Sequence, residues 1–443
     1  MSERLLSVGL DVGTTSTQMV LSELEVENRA GSFAVPEMEI GARRIRYKSP
    51  IHFTPLVGQE RVDGEKIREI VDEEYRKAGI TKAQVDTGAI IITGETSRKE
   101  NARTVLAALS DYAGEFVVAT AGPDLESILA AKGAGAAAYS EKTGKTVLHM
   151  DIGGGTSNLA LIENGKITAT TCLNVGGRLL KIDPERRLEY VSPVLEGLFS
   201  GKVGDYVNRK AVLELAGLLV EALEMAAGLR EKGPLLEKLR TAEAGAAWPE
   251  VKEGTVISFS GGVADCIEKE QPWLAFGDMG PELGRAIRES RLCRGDYVLG
   301  EETIRATVIG AGCHSTQLSG STVFLQNVEL PVKNLPVVES AAELATLDGP
   351  GVLAMVGIRS PGYGQVAELA GKLAADFGQR PVFLALREDM AKALGQQLAL
   401  RLGSGAQILC IDRVKLKAGD YLDVGTPVGP ALPVVIKTLI LSR

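Results

Sequence analysis

Gly9-Leu10-Asp11-Val12-Gly13-Thr14-Thr15-Ser16 and Asp151-Ile152-Gly153-Gly154-Gly155-Thr156-Ser157, their first aspartates 140 residues apart, decide how this chain reads. Each completes a short apolar run, residues 5–10 and 147–152. Each is followed by renewed apolar alternation, through residues 19–21 and 159–162. Period-two patterning on both sides of a glycine-rich turn predicts strand, turn, strand. Its recurrence at domain spacing predicts two similar lobes that face each other.

A single Asp-x-Gly-x-Thr turn is ordinarily a hairpin in which the aspartate caps its own backbone. Two in matching context point to chemistry. In a glycine-rich turn, successive backbone N–H groups converge on a concavity that suits phosphate oxygens. Gly13, Gly153, Gly154 and Gly155 would supply such groups, and Thr14, Thr15, Ser16, Thr156 and Ser157 add hydroxyl donors. An aspartate at a strand end repels phosphate but holds Mg²⁺ through water, and the metal bridges to the phosphates. Asp11 and Asp151 are therefore the expected metal ligands. Together with Glu126 they are the candidate catalytic carboxylates, with Asp151 or Glu126 to orient an attacking water. Gly177, Ser260-Gly261-Gly262 after strand-like 255–259, and Gly310 and Gly312 after strand-like 307–309 complete the expected cofactor-binding set. Rival nucleotide folds lose support, because no G-x-x-x-x-G-K-[ST] occurs and no G-x-G-x-x-G opens a first strand–helix junction.

Between these turns the patterning predicts helices over 66–78, 99–109 and 124–138 and strands over 88–94 and 115–119. Asn164-Gly165 signals a tight hairpin leading into a strand over 166–172. Helices follow over 211–229 and 234–243. From 352 to 411 strand-like and helix-like stretches alternate, which predicts a small α/β unit with a partly parallel sheet. The expected organisation is a first lobe over 1–145, a second over 146–330 with a helical insertion near 178–250, and a C-terminal α/β unit over 331–443.

A length of 443 residues suits about three domains. The net charge of −8 argues against nucleic acid or an anionic membrane surface as the main partner. Five cysteines without a C-x-x-C pair and three scattered histidines predict neither a disulfide framework nor a zinc site. The most apolar long stretch, 211–229, carries Glu214, Glu221 and Glu224 on one side of a helix, so it reads as amphipathic and not as a membrane span. With no signal-peptide profile at the N-terminus, a cytoplasmic location is expected.

The ordered set of turns resembles the actin-like ATPase superfamily of heat-shock ATPases, sugar kinases and actin. Residues 9–16 resemble its first phosphate loop, 151–157 its second and 260–263 its adenosine loop. Residues 124–138 and 309–313 fit its two interlobe helices. The resemblance implies an α/β fold of duplicated actin-like (ribonuclease H-like) lobes, binding ATP and Mg²⁺. Over the whole chain the sequence is similar to the EutA family, the reactivating factors of ethanolamine ammonia-lyase. Residues 10–18, 93–102, 149–158, 422–428 and 432–439 carry that similarity. It implies a chaperone-like, Mg-dependent ATPase whose partner is ethanolamine ammonia-lyase. Such a protein promotes exchange of damaged cobalamin for intact adenosylcobalamin. It also brings a homodimer and association with a bacterial microcompartment among the expectations. Composition and periodicity leave two alternatives open: a small-molecule kinase of the same fold and an actin-like nucleotide-switched scaffold.

Overall fold

The computed structural model describes residues 3–13, 16–28, 38–57, 61–92, 117–120, 123–241, 248–300, 302–314, 316–319, 322–347, 349–414, 416, 418, 420–427 and 432–438. The helix expected over 99–109 lies outside the described residues.

Two sheets share one topology. The first is built from β1 (Glu3–Val12), β2 (Ser16–Asn28), β3 (Met38–Lys48), β4 (Thr87–Ile92) and β5 (Val117–Thr120), in the order β3-β2-β1-β4-β5. The short strand His52–Phe53 also pairs with β2. The second sheet contains β6 (Val147–Ile152), β7 (Ser157–Glu163), β8 (Lys166–Leu173), β9 (Val256–Ser260) and β10 (Tyr297–Leu299), in the order β8-β7-β6-β9-β10. In both, the first three strands are antiparallel and the last two join in parallel. The duplication expected from the two turns is thus a repeat of whole lobes. Strands β4 and β6 are buried along their full length. That is why they are mostly apolar, with His149 and Asp151 the polar exceptions in β6: the middle strands of these mixed sheets are covered on both faces.

Parallel neighbours need a crossover, and helices supply it. In the first lobe α1 (Gly64–Ala78) leads to β4. It starts where the Asp63 side chain accepts from Lys66 N and stops at Gly79, whose φ of 69° lies in the left-handed region. Ile67, Val71 and Tyr75 recur at i, i+4 and i+8 and are buried against the sheet. The expected single helix over 124–138 is instead α2 (Pro123–Gly133) and α3 (Ala136–Thr143), parted at Gly135 with φ 79°. In the second lobe the insertion carries a small hairpin, Leu180–Ile182 with Leu188–Val191, and α4 (Arg209–Ala226). Leu215, Leu219 and Leu223 of α4 join Leu148, Leu159 and Phe259 in one core. Of the three glutamates expected on its outer side, Glu224 is buried, accepting from Arg230 Nε at 3.1 Å and from Arg291 N at 2.9 Å. Helix α5 (Gly280–Glu289) then precedes β10.

After β10 comes α6 (Ala306–His314). The β-branched run Thr307-Val308-Ile309 reads as a strand, but here it is helical, and tertiary packing supplies the reason. Helices α2 and α6 cross so closely that a Cβ on Gly133 would lie 1.8 Å from Ala306 O, and one on Gly310 would lie 2.0 Å from Leu129 O. A Cβ on Gly9 of β1 would lie 2.4 Å from Val308 O and 3.0 Å from Gly312 N. Only glycine admits backbone approach of this kind. Helix α2 leaves the first lobe and lies on β6, β7 and β8 of the second, while α6 returns to lie on β1, β2 and β4. The two helices therefore join the lobes.

The third sheet draws on β11 (Thr316–Leu318), β12 (Phe324–Gln326), β13 (Val332–Val338), β14 (Val352–Met355), β15 (Val382–Leu386), β16 (Ile408–Ile411), β17 (Asp420–Val424) and β18 (Pro433–Thr438). Their order is β11-β18-β17-β13-β14-β15-β16-β12, with β13 to β16 parallel. The sheet takes in two strands ahead of the boundary expected near 330. Helices α7 (Tyr363–Phe377) and α8 (Ala391–Leu402) cover one face. Among the described residues no helix is long and apolar enough to cross a membrane.

Candidate functional site

The two glycine turns are closed in the same way. Gly13 N donates to Ser16 O at 2.8 Å, and Gly153 N donates to Thr156 O at 2.9 Å. A second segment then braces each turn. In the first lobe Thr54 Oγ1 donates to Gly13 O at 2.7 Å. In the second, Gly177 N donates to Gly153 O at 3.0 Å and Arg178 N to Gly154 O at 2.6 Å, while Ser157 Oγ donates to Val175 O at 2.7 Å. A Cβ on Gly176 would meet Gly154 O at 2.3 Å. Gly176 and Gly177 therefore hold the second turn from behind, and Gly155 at its tip is exposed. Thr14 and Thr15 lie outside the described residues.

The hairpin register adds two residues to which the sequence reading gave no role. Asp11 stands opposite Gln18, and Asp151 stands opposite Asn158. Both amides are buried. Gln18 Nε2 donates to Ile304 O at 3.1 Å, and Asn158 Nδ2 donates to Glu126 Oε2 at 2.8 Å. Their carbonyl oxygens, Gln18 Oε1 and Asn158 Oδ1, have no hydrogen-bond partner among the described residues. A buried acceptor left unmade costs about 1–3 kcal/mol, so two at matched positions call for an occupant that donates. The signal was available in the sequence: each amide sits seven residues after its aspartate, across a turn of fixed length.

Asp151 is almost fully enclosed. Ser260 Oγ donates to its Oδ1 at 2.5 Å, and Thr307 Oγ1 donates to Oδ2 at 3.4 Å. Burial pushes its pKa up to about 6, against the opposing pull of these two hydroxyls. Because the Ser260 hydrogen goes to Asp151, Ser260 Oγ accepts from His149 Nε2 at 2.9 Å, and His149 Nδ1 accepts from Ser258 Oγ at 3.1 Å. The result is a buried chain, Ser258 to His149 to Ser260 to Asp151, with every hydrogen pointing toward the carboxylate. Burial lowers His149 to a pKa of about 3, so its ring is neutral. His149, Thr307 and Ser258 were not anticipated as site residues.

The expected set does not all converge on one surface. Ser260 reaches Asp151. Gly261, at φ 87°, packs so closely that a Cβ would lie 2.3 Å from Ile152 O, while Gly262 is exposed beside it. Gly310 and Gly312 are buried in the crossing of α6 with α2 and β1. Glu126, near the start of α2, is placed against Asn158. Ile304 accepts from Gln18 and, three residues on, Thr307 donates to Asp151, so both aspartate turns meet one short segment ahead of and within α6. Cys266 lies close to the Ser260 turn. Burial and the neighbouring Asp278 and Asp265 carboxylates raise its thiol to about 11, which keeps it protonated and unreactive at neutral pH.

A sequence profile for the family described as ethanolamine utilisation protein EutA matches residues 3–352 and 343–442. An ethanolamine ammonia-lyase reactivase EutA from Salmonella typhimurium is 38% identical over 99% of both chains. One from Escherichia coli is likewise 38% identical over 99% of both. Among solved structures, an Aquifex aeolicus Ppx/GppA family member aligns with a TM-score of 0.42 at 13% identity, covering 70% of this chain and 97% of its own.

Proposed function

The chain belongs to the EutA family of ethanolamine utilisation proteins, and we propose that it is a chaperone-like ATPase that reactivates ethanolamine ammonia-lyase. The single observation that carries the nucleotide part is the matched pair of turns, each with an aspartate and a cross-strand amide oxygen awaiting a donor. Hydrated Mg²⁺ fits this donor set: its waters are strong donors, the carboxylates supply the charge, and no nitrogen or sulfur ligand is needed. When bound, Mg²⁺ would neutralise the outer phosphates of ATP and bridge them to the protein. Asp11 and Asp151 would hold it, with Gln18 Oε1 and Asn158 Oδ1 accepting from its water shell.

This chain's own residues do the rest by positioning, which is most of what phosphoryl transfer requires. The backbone N–H groups of Gly154 and Gly155, with Thr156, would cradle the outer phosphates, because the Gly153 N–H expected to join them is spent closing the turn on Thr156 O. From the first lobe the Ser16 hydroxyl would do so, while the Gly13 N–H is spent closing its turn on Ser16 O. Ser260 and Thr307 fix the orientation of Asp151. Glu126, which accepts from Asn158, would orient the attacking water. Because α2 and α6 join the lobes and both aspartate turns meet the segment around 304–307, a change in lobe closure would reach the outer surface of the protein. The lyase bound there must favour one nucleotide state, or nothing is driven. On this reading the driven event is exchange of damaged cobalamin for adenosylcobalamin on the lyase.

Phosphate release from Mg·ATP tests the nucleotide part. Asp151→Asn keeps the size and the Ser260 contact, and it should lower turnover at least about 100-fold, as loss of an electrostatic catalytic group does. Full activity in a folded Asp151→Asn protein would overturn the assignment.

A further inference from the structure

We propose that Arg178 is a specificity-determining residue of this site, a guanidinium held beside the second glycine turn to bind the outermost phosphate of ATP and so to distinguish ATP from ADP. This rests on the nucleotide reading above and adds a residue to it.

Five observations place Arg178 there. Its backbone N–H donates to Gly154 O at 2.6 Å, so its Cα is fixed to the turn. Its side-chain stem lies along Gly154: a Cβ built on that glycine would stand 3.5 Å from Arg178 Cβ, 3.6 Å from Cδ and 3.7 Å from Cγ. Its Nε donates to Asp278 Oδ2 at 3.1 Å, which fixes the direction of the guanidinium. Asp278 is itself buried and anchored, its Oδ1 accepting from Gly280 N at 2.9 Å. The side chain of Arg178 is 32% exposed, and its two terminal nitrogens find no protein acceptor among the described residues.

The arrangement leaves a cation only partly neutralised. One edge of the planar fork is spent on Asp278, and the remaining N–H groups are available beside a turn whose own N–H groups suit phosphate. Arginine matches phosphate through paired, charge-assisted hydrogen bonds, and a lysine at this place could not do so while also holding Asp278. A guanidinium serving only as a structural partner for Asp278 would not need its stem laid along the tip of a phosphate loop. The same residues also connect the turn to α5: Gly177 O accepts from Met279 N at 2.9 Å, and Asp278 takes Gly280 N at the helix start. The state of the outer phosphate would therefore be felt at α5, which packs on α4 of the insertion.

The test compares binding of Mg·ADP with that of the non-hydrolysable Mg·AMP-PNP by calorimetry, in wild type, Arg178→Ala and the double variant Arg178→Ala/Asp278→Asn. The double variant removes the buried carboxylate that Arg178→Ala would leave without its partner. Loss of a charge-assisted bond to phosphate should weaken AMP-PNP by about 10-fold or more. ADP should change by less than about twofold. That selective loss in either folded variant supports the proposal. Equal weakening of both nucleotides, or no change in either, overturns it and leaves Arg178 as the ion-pair partner of Asp278. Wild-type protein that binds neither nucleotide overturns the nucleotide site itself, and this proposal with it.

Discussion

Alanine at Gly310 should reverse the usual sign of a glycine-to-alanine change in a helix. In an open helix interior this substitution gains about 1 kcal/mol from propensity. At Gly310 the added Cβ would lie 2.0 Å from Leu129 O and 2.6 Å from Leu129 C. Both sides of the contact are backbone, so no side chain can swing aside. Helices α2 and α6 would have to part by about 1 Å, and a gap of that size forfeits a quarter to a half of each dispersion contact along the crossing. Overpacking of this kind costs about 1–3 kcal/mol, and a backbone clash belongs at the upper end. After the propensity gain, the net loss is about 2 kcal/mol. Gly217 in α4 is the internal control, since a Cβ there meets nothing within 4 Å and should deliver the full gain. The two variants should thus differ by about 3 kcal/mol. Urea unfolding followed by tryptophan fluorescence reads this directly, because Trp248 and Trp273 both lie in the second lobe, on which α2 packs. Gly133→Ala should behave like Gly310→Ala, and the double variant should cost less than the sum, because helices already parted admit the second methyl more easily. Gly310→Ala as stable as wild type, alongside a stabilised Gly217→Ala, would refute the close crossing that joins the lobes.

The buried chain behind Asp151 makes further expectations. Ser260→Ala should lower the rate of Mg·ATP hydrolysis by roughly 10-fold while changing the KM for ATP little, since Ser260 orients Asp151 without touching nucleotide; a change confined to KM would contradict that role. His149 is held below its ordinary pKa of 6.5, at about 3, so its contribution to stability is complete above pH 6.5 and lost as pH falls toward 3. Asp151, raised to about 6, acts in the opposite direction: the cost of burying its charge is full above pH 6 and disappears as pH falls toward 4. Replacing His149 with Gln should therefore remove a loss of about 1.4 kcal/mol per pH unit between pH 6 and 4, measured as the difference between the two urea-stability curves. Parallel curves would contradict a buried neutral imidazole.

The lobes were legible because their signal is local and repeated. Apolar strands ending in Asp11 and Asp151 flank short turns whose spacing fixes the hairpin register, and buried parallel strands such as β4 and β15 announce themselves as apolar runs. What was not legible depends on contacts between distant parts of the chain. Thr307-Val308-Ile309 has strand propensity, yet it is helical because Gly310 and Gly312 let the segment press against Leu129 and Gly9. The same glycines were expected to bind the cofactor, because in sequence a glycine for backbone packing and a glycine for ligand approach are indistinguishable. Glu224 looked solvent-facing by helical periodicity, and it is buried because Arg230 and the amide of Arg291 pair with it. Ser260 was expected as part of an adenosine loop, and its bond to Asp151 was not foreseen; it is a consequence of β9 lying parallel to β6 with Ser260 level with Asp151. Gln18 and Asn158 could have been found from register alone, since both hairpins place them beside the aspartates.

The central claim joins the site between the lobes to the lyase, and one assay tests both ends. Ethanolamine ammonia-lyase inactivated with hydroxocobalamin is incubated with this protein, Mg·ATP and fresh adenosylcobalamin, and lyase activity is followed over time, with an Asp11→Asn/Asp151→Asn variant alongside. The account predicts recovery of activity with the wild-type protein and none with the variant. Equal recovery with the variant, or no recovery with either while wild type still hydrolyses ATP, would contradict it.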